Sequence, residues 1–457
     1  MIRIQKTEEV EQEFFEGRNF GDSIEVVRTV LQNVREKKDE ALHSYSQQFD
    51  MANPATFEIP QSELKAAADN MKKSNPDLYQ SLSYSCDLAL RFAKKQRESF
   101  DDFEIELEPG MFTGQKNIAV ERAGVYVPAG RFPLVSSVVM TVTPALAAGV
   151  KEIVLCTPPR VHPDDLEKAK ASGQKCFAGG KPYADQNIMA AAYICGVNRV
   201  FAVGGAQAIA ALAFGTESIP RADVIVGPGN KFVAEAKKLV YGTCGIDMIA
   251  GPTEVFIIAD KNANAQWVAA DMLAQAEHDV VAQATLATPD LDFAKAVAQE
   301  IEKQLEQLPT RQTAEQSITN CGRIIITKDL DEAALLADKR APEHLELALD
   351  DTKERERIVQ TVHNYGSLFI GHESAEVFGD YAAGLNHTLP TSGSARFTGG
   401  LSVRMFLKTV TTLRSVSGSK GAIASATAAG HLGDAEGLAA HAYAARLRLN
   451  SKEAPHA

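Results

Sequence analysis

The sequence predicts an α/β fold built on parallel sheets from two series of alternating strand and helix. From Gly124 onward, short β-rich runs alternate with Ala-rich helical stretches. A second series of strand and helix follows from Ala284. Strands separated by helices are joined by crossovers rather than hairpins, which makes the sheet parallel. The length of 457 residues suggests about three structural units.

Taken in chain order, residues 1 to 105 are rich in charge and helix formers. Ser23 to Lys38 places Ile24, Val27, Val30, Leu31 and Val34 on one helical face. Phe103 to Ile118 alternates charged and apolar residues, as strands joined by a turn do. The first α/β series has strands at Val125–Val127, Glu152–Cys156, Arg199–Val203, Val224–Val226 and Val255–Ala259. Its helices are expected at Met140–Ala148, Ile188–Gly196, Ala206–Ala213 and Lys231–Leu239. A helical stretch over Trp267 to Ala282 comes next. The second series reads Ala284–Ala287 strand, Leu291–Leu308 helix, Gly322–Thr327 strand and Asp331–Lys339 helix. Asp380 to Gly400, rich in Gly, Ser, Thr and Pro, is expected to be a long ordered loop of the kind that carries function. The Ala- and Ser-rich tail, Ser415 to Arg448, reads as helical in its second half. With little apolar content of its own, it is expected to pack against something else, such as a partner subunit.

Composition narrows the function. Lys and Arg number 47 against 59 Asp and Glu, a net charge of −12. Such a chain is poorly suited to tracking nucleic acid or an anionic membrane surface. Six cysteines without a CxxC pair exclude a disulfide scaffold and a cysteine zinc ribbon. No secretory signal or run of 18 apolar residues is visible, so a cytoplasmic protein is expected.

Three glycine-bearing turns stand between a strand and a helix: Tyr126 to Arg131, Val203 to Gln207 and Gly227 to Asn230. Bare amides at such junctions suit a phosphate, although tight turns alone also explain them. None is GxGxxG, so the dinucleotide fingerprint is absent. Four histidines lie near carboxylates or amides: Gln275 and His278 three apart, Glu343-His344, Asp380 seven before His387, and Glu436 five before His441. Imidazole and side-chain oxygen are zinc donors, while each histidine taken singly also reads as a surface or capping residue. Glu343-His344 could supply two general bases. Because Pro342 precedes it, the pair also reads as an exposed helix start.

Several long motifs in order resemble the histidinol dehydrogenase family over nearly the whole chain. They are Ala123–Pro128, Val203–Gly215, Val226–Asn230, Ile246–Asp260, Asp271–Asp279, Ala341–Leu345, Gly379–Thr391 and Glu436–Arg448. Two positions depart from the family pattern: Ala129-Gly130 stands where Gly-Gly is common, and Thr253 where Ser is common. Both keep the small size or the hydroxyl.

The resemblance implies two doubly wound, incomplete-Rossmann-like parallel-sheet domains, an N-terminal helical extension and a C-terminal tail crossing to the partner of a homodimer. Residues 24–127 and 251–375 would form the first domain and 128–250 an inserted second. Residues 1–23 with 376–400 would form a small third domain, and 401–457 the dimerisation tail. It also implies oxidation of L-histidinol to L-histidine through L-histidinaldehyde, with two NAD and one zinc ion per subunit, at the end of histidine biosynthesis. Zinc would be held by Gln275, His278, Asp380 and the partner copy's tail histidine, His441. Glu343 and His344 would be the acid/base pair. Thr253, His387 and Glu436 would join the zinc ligands and His344 around the substrate, and Tyr126, Gln207 and Asn230 would contact NAD.

A sister group, the sulfopropanediol dehydrogenases, oxidises 2,3-dihydroxypropane-1-sulfonate to sulfolactate by the same route. The stretches Gly130–Val135 and Ala395–Gly400 resemble it too. A sulfonate calls for cationic donors such as Arg131 or Arg396, whereas the amine of histidinol calls for a carboxylate such as Glu436. A non-catalytic scaffold that kept the fold is a further alternative, and retention of all four ligands and both bases argues against it.

Overall fold

The computed structural model describes residues 2–16, 24–130 and 133–449. Two compact units are present, one from Met1–Lys94 with Val120–Phe406, the other from Lys95–Ala119 with Leu407–Ala457.

The larger unit holds two six-stranded sheets. The first is all parallel, in the order Arg3–Lys6, Arg323–Ile326, Gln283–Thr288, Glu254–Ala259, His344–Ala348, Ser367–Ile370. Its central strand is buried on both faces, and side chains alternate between them. Val255, Ile257 and Ala259 pack into a cluster with helices Ala265–Ala276 and Leu291–Leu305. Phe256 and Ile258 pack into another with Leu330–Arg340 and Ile358. Helices on both faces make the sheet doubly wound, as expected.

The second sheet runs Gly245–Ile246, Val224–Val226, Arg122–Tyr126, Glu152–Thr157, Arg199–Ala202, Glu58–Ile59, with only the last strand antiparallel. It thus draws strands from outside 128–250. The N-terminal helix, Ile24–Phe49, buries Val27, Val30, Leu31 and Val34 in this sheet's cluster. It continues past the expected end at Lys38 after a break, where Lys38 takes a left-handed conformation (φ 53°) and its ammonium donates to the Gly215 carbonyl.

Local structure departs from expectation at three places. The Ala265–Ala276 helix ends before His278, its last turn closed by the Glu277 amide on the Leu273 carbonyl. Pro342 does not start a helix: Ala341, at φ 53°, ends Leu330–Arg340, and His344 opens a strand. The tail is helical from Lys420, not only in its second half.

In the smaller unit, Phe103–Glu108 and Met111–Ala119 form the expected hairpin, and Leu407–Ser415 completes an antiparallel sheet. Helices Lys420–Ala435 and Ala439–Leu449 pack together through small residues. Gly433 lies so close to Ala442 that a Cβ there would meet the Ala442 amide at 2.8 Å. All six cysteines are free. Among the described residues, no helix is long and apolar enough to cross a membrane.

Candidate active site

The crossing between the two sheets sets the site. Residues 247–253 run directly from the end of strand Gly245–Ile246 to the start of Glu254–Ala259. They therefore bring the carboxyl edge of the second sheet to the amino edge of the first. At the carboxyl edge lie the three glycine-bearing turns; at the amino edge lie Thr253, Glu343 and His344.

Parallel pairing places Val255 beside His344, so the residues just before each strand also meet. The Glu343 carboxylate accepts from the Thr253 hydroxyl at 2.6 Å and from the Glu254 amide at 3.0 Å. The His344 ring faces the Glu254 carbonyl through Nδ1 at 3.2 Å. Its Nε2 is buried without a hydrogen-bond partner, 3.7 Å from Asp380. Both members of the pair are buried, so the exposed-helix reading fails. A neighbouring glycine is required here, since a Cβ on Gly366 would press on the Glu343 carbonyl at 2.5 Å.

Asp380 comes from the short helix Glu376–Tyr381, which also delivers Glu376. Glu376 is 1% exposed and went unread in the sequence, although a carboxylate four residues before Asp380 shares its helical face. The Gln275 amide donates to both Glu376 oxygens, at 2.7 and 2.9 Å, and its carbonyl faces the Thr253 hydroxyl. Glu376 thereby fixes which end of Gln275 faces Thr253. The loop beyond Asp380 carries His387, whose Nδ1 lies 3.0 Å from the Asp380 carbonyl. Its Nε2 lies 3.4 Å from Ser137, on a helix of the second sheet. Thr391 and Ser392 of the same loop meet the Gly251 amide and the Glu254 carboxylate.

The electrostatics are those of a crowded acidic site. Burial, partly offset by His344 and hydrogen bonds, pushes Glu343 up to about 7. Burial pushes Glu376 up to about 8. Burial alone would lower His344, but Glu376, Glu343 and Asp380 push it up to about 10. Burial opposes ionisation of Asp380, yet His344 and other imidazoles hold it below the usual carboxylate range. Burial lowers His387. Behind this group, buried Glu346 and half-buried Asp271 share a hydrogen bond, and desolvation raises both.

Thr253, Gln275, Glu343, His344, Asp380 and His387 therefore converge, with exposed His278 close enough to Asp380 and His387 to act on both electrostatically. Glu436 and His441 belong to the other unit, where both are exposed, Glu436 just past Lys420–Ala435 and His441 on Ala439–Leu449. Among the described residues, no three His, Cys, Asp or Glu side chains form a metal cage; the expected ligand set includes an amide and a tail histidine. Tyr126 is buried and its hydroxyl accepts from the Gly205 amide at 3.1 Å, tying two of the turns together. Gln207 is buried in the first turn of the helix Gly205–Phe214. Asn230 caps Lys231–Val240 with its side-chain oxygen.

The family model described as histidinol dehydrogenase matches residues 16–449. The chain belongs to the histidinol dehydrogenase family. It is 41% identical over 452 residues to histidinol dehydrogenase of Thermus thermophilus, covering 97% of this chain and 100% of that one. Against the Bacillus anthracis histidinol dehydrogenase it is 43% identical, covering 93% and 92%. The crystal structure of histidinol dehydrogenase from Elizabethkingia anophelis superposes with a TM-score of 0.86 at 33% identity, covering 98% of each chain. As a member of this family the chain is a dehydrogenase. Of the two cationic residues singled out for a sulfonate, one is among the described residues. Arg396 donates to the Gly393 and Lys339 carbonyls, and Arg131 lies outside the described residues.

Proposed function

We propose that this chain oxidises L-histidinol through L-histidinaldehyde to L-histidine with two NAD and one zinc ion per subunit, as the closing steps of histidine biosynthesis in the cytoplasm. The observation that carries the substrate choice is the set of acceptors at the site: ionised Asp380, with Glu343 and Glu376 as carboxyls that a bound cation would draw toward ionisation. An amine-bearing substrate gains from such a field, while a sulfonate would be repelled.

Gln275, His278 and Asp380 would hold zinc from one copy of the chain, and His441 on the tail of a second copy would complete the set. The donors suit it, being one amide oxygen, imidazole nitrogens and one carboxylate. The buried, unpartnered Nε2 of His344 beside Asp380 marks where substrate and ion would meet. When bound, zinc would polarise the substrate hydroxyl and balance the carboxylate charge around His344. The remaining steps belong to the chain. With the carboxylate charge around it so balanced, His344 would be neutral and would take the hydroxyl proton as hydride leaves carbon for the nicotinamide. The site then keeps the aldehyde, with His387 and the second copy's Glu436 lining the pocket. Glu343, held by Thr253 and the Glu254 amide, takes a proton from water as the hydrate forms, and a second hydride transfer gives the carboxylate. Tyr126, Gln207 and Asn230 place the dinucleotide at the carboxyl edge of the second sheet.

The direct test supplies zinc-loaded protein and NAD with L-histidinol or 2,3-dihydroxypropane-1-sulfonate. NADH is expected from L-histidinol alone. Turnover of the sulfonate alone overturns the substrate assignment while leaving the two-base chemistry in place.

A further inference from the structure

Below the third glycine-bearing turn lies a buried ion pair that the chemistry above does not use. Lys237, on helix Lys231–Val240, is 3% exposed and pairs with Asp247, whose side chain is 0% exposed. Together they grip Gly227 at both ends. The Lys237 ammonium donates to the Gly227 carbonyl at 2.9 Å, and the Asp247 carboxylate accepts from the Gly227 amide at 2.8 Å. Gly227 sits at φ 118°, and a Cβ there would collide with the Tyr126 carbonyl of the first turn. Asp247 also accepts from the Met248 amide at 2.6 Å, at the start of the 247–253 crossing that ends on Thr253.

A buried pair of this kind is a poor way to gain stability, because desolvation consumes most of the attraction. Its products are geometric. The pair fixes the planes of the two peptides that flank Gly227 at the start of the Gly227–Asn230 turn, and it ties that turn to the chain leading to Thr253. We propose that Lys237 and Asp247 are positioning residues for the dinucleotide, holding the Gly227–Asn230 turn in the shape that receives it. This rests on the reading that Asn230's turn takes NAD.

The test compares full-length, zinc-loaded wild type with Lys237→Met, Asp247→Asn and the double variant. NAD titration, steady-state kinetics and thermal melting are read in parallel. Each single variant leaves an unpaired buried group and is expected to melt lower. The double variant removes both charges and regains melting temperature. NAD affinity is nonetheless expected to stay about tenfold weaker in the double variant, the equivalent of one lost hydrogen bond in the turn. KM for L-histidinol and kcat should hold. Recovery of NAD affinity together with melting temperature in the double variant would reduce the pair to a structural role and overturn the proposal. So would an equal loss of L-histidinol affinity. A wild type that does not bind NAD overturns the reading beneath it, and that outcome is separate because it needs no variant.

Discussion

Glu343 shows how a single carboxyl acquires a task. Its two donors, Thr253 and the Glu254 amide, hold one oxygen, and burial brings its titration to about 7. The sign is that of a raised acid: protonated and inert as a base below that point, ionised and competent above it. Aldehyde oxidation is therefore expected to rise between about pH 6 and 8. In Glu343→Gln that rise disappears, with a loss of about 10²–10⁴-fold, while alcohol oxidation suffers less. Stopped-flow rates with each substrate across pH check this, and equal loss in both half-reactions contradicts it. Glu376 acts through another residue, since both its oxygens receive the Gln275 amide. Glu376→Gln is expected to free that amide to flip and to weaken zinc binding by about 10–100-fold, read by chelator competition. The adjacency of Glu343 and His344 is written in the sequence, as is Gln275 three before His278. Glu376 is not: on a six-residue helix its partner, Gln275, is a hundred residues away, and only the fold makes them neighbours.

Elements were legible where local periodicity and tertiary burial agree. Each expected strand of the two α/β series forms, because a parallel strand buried on both faces must be a continuous apolar run. Boundaries slipped where tertiary contacts override local signals. Ala341 adopts a left-handed conformation that ends a helix just where Pro342 suggested one begins. The tail hid its first helix, Lys420–Ala435, behind small residues with no apolar stripe; Gly433 is small because Ala442 packs on it. Gly433→Leu is expected to force these helices apart at about 1–3 kcal/mol. If His441 completes the zinc site, zinc content and activity fall together while circular dichroism of the α/β unit stays unchanged. Unaltered zinc content would separate the tail from the site.

At the scale of the molecule, the 247–253 crossing joins the carboxyl edge of one sheet to the amino edge of the other, and on that connection rests the proposal that the glycine-bearing turns and the Glu343-His344 pair serve one site. The alternation of strands and helices announces two sheets. It does not announce that Glu58–Ile59 and the helix Ile24–Phe49 complete the second one, because such contacts are long-range. His441 and Glu436 belong to the other unit. If a second copy supplies them, mixing His344→Asn with His441→Ala chains should restore activity that neither has alone, since mixed dimers hold one intact site. No recovery on co-refolding would place His441 in its own chain's site or outside any.

The proposed reaction is a four-electron oxidation with both hydride transfers in one site. The most direct measurement is the number of NADH formed per L-histidinol consumed, by zinc-loaded protein under limiting L-histidinol. Two NADH, with L-histidine as the product and no free aldehyde, is the result this account predicts. One NADH with L-histidinaldehyde released, or no NADH from L-histidinol at all, would contradict it.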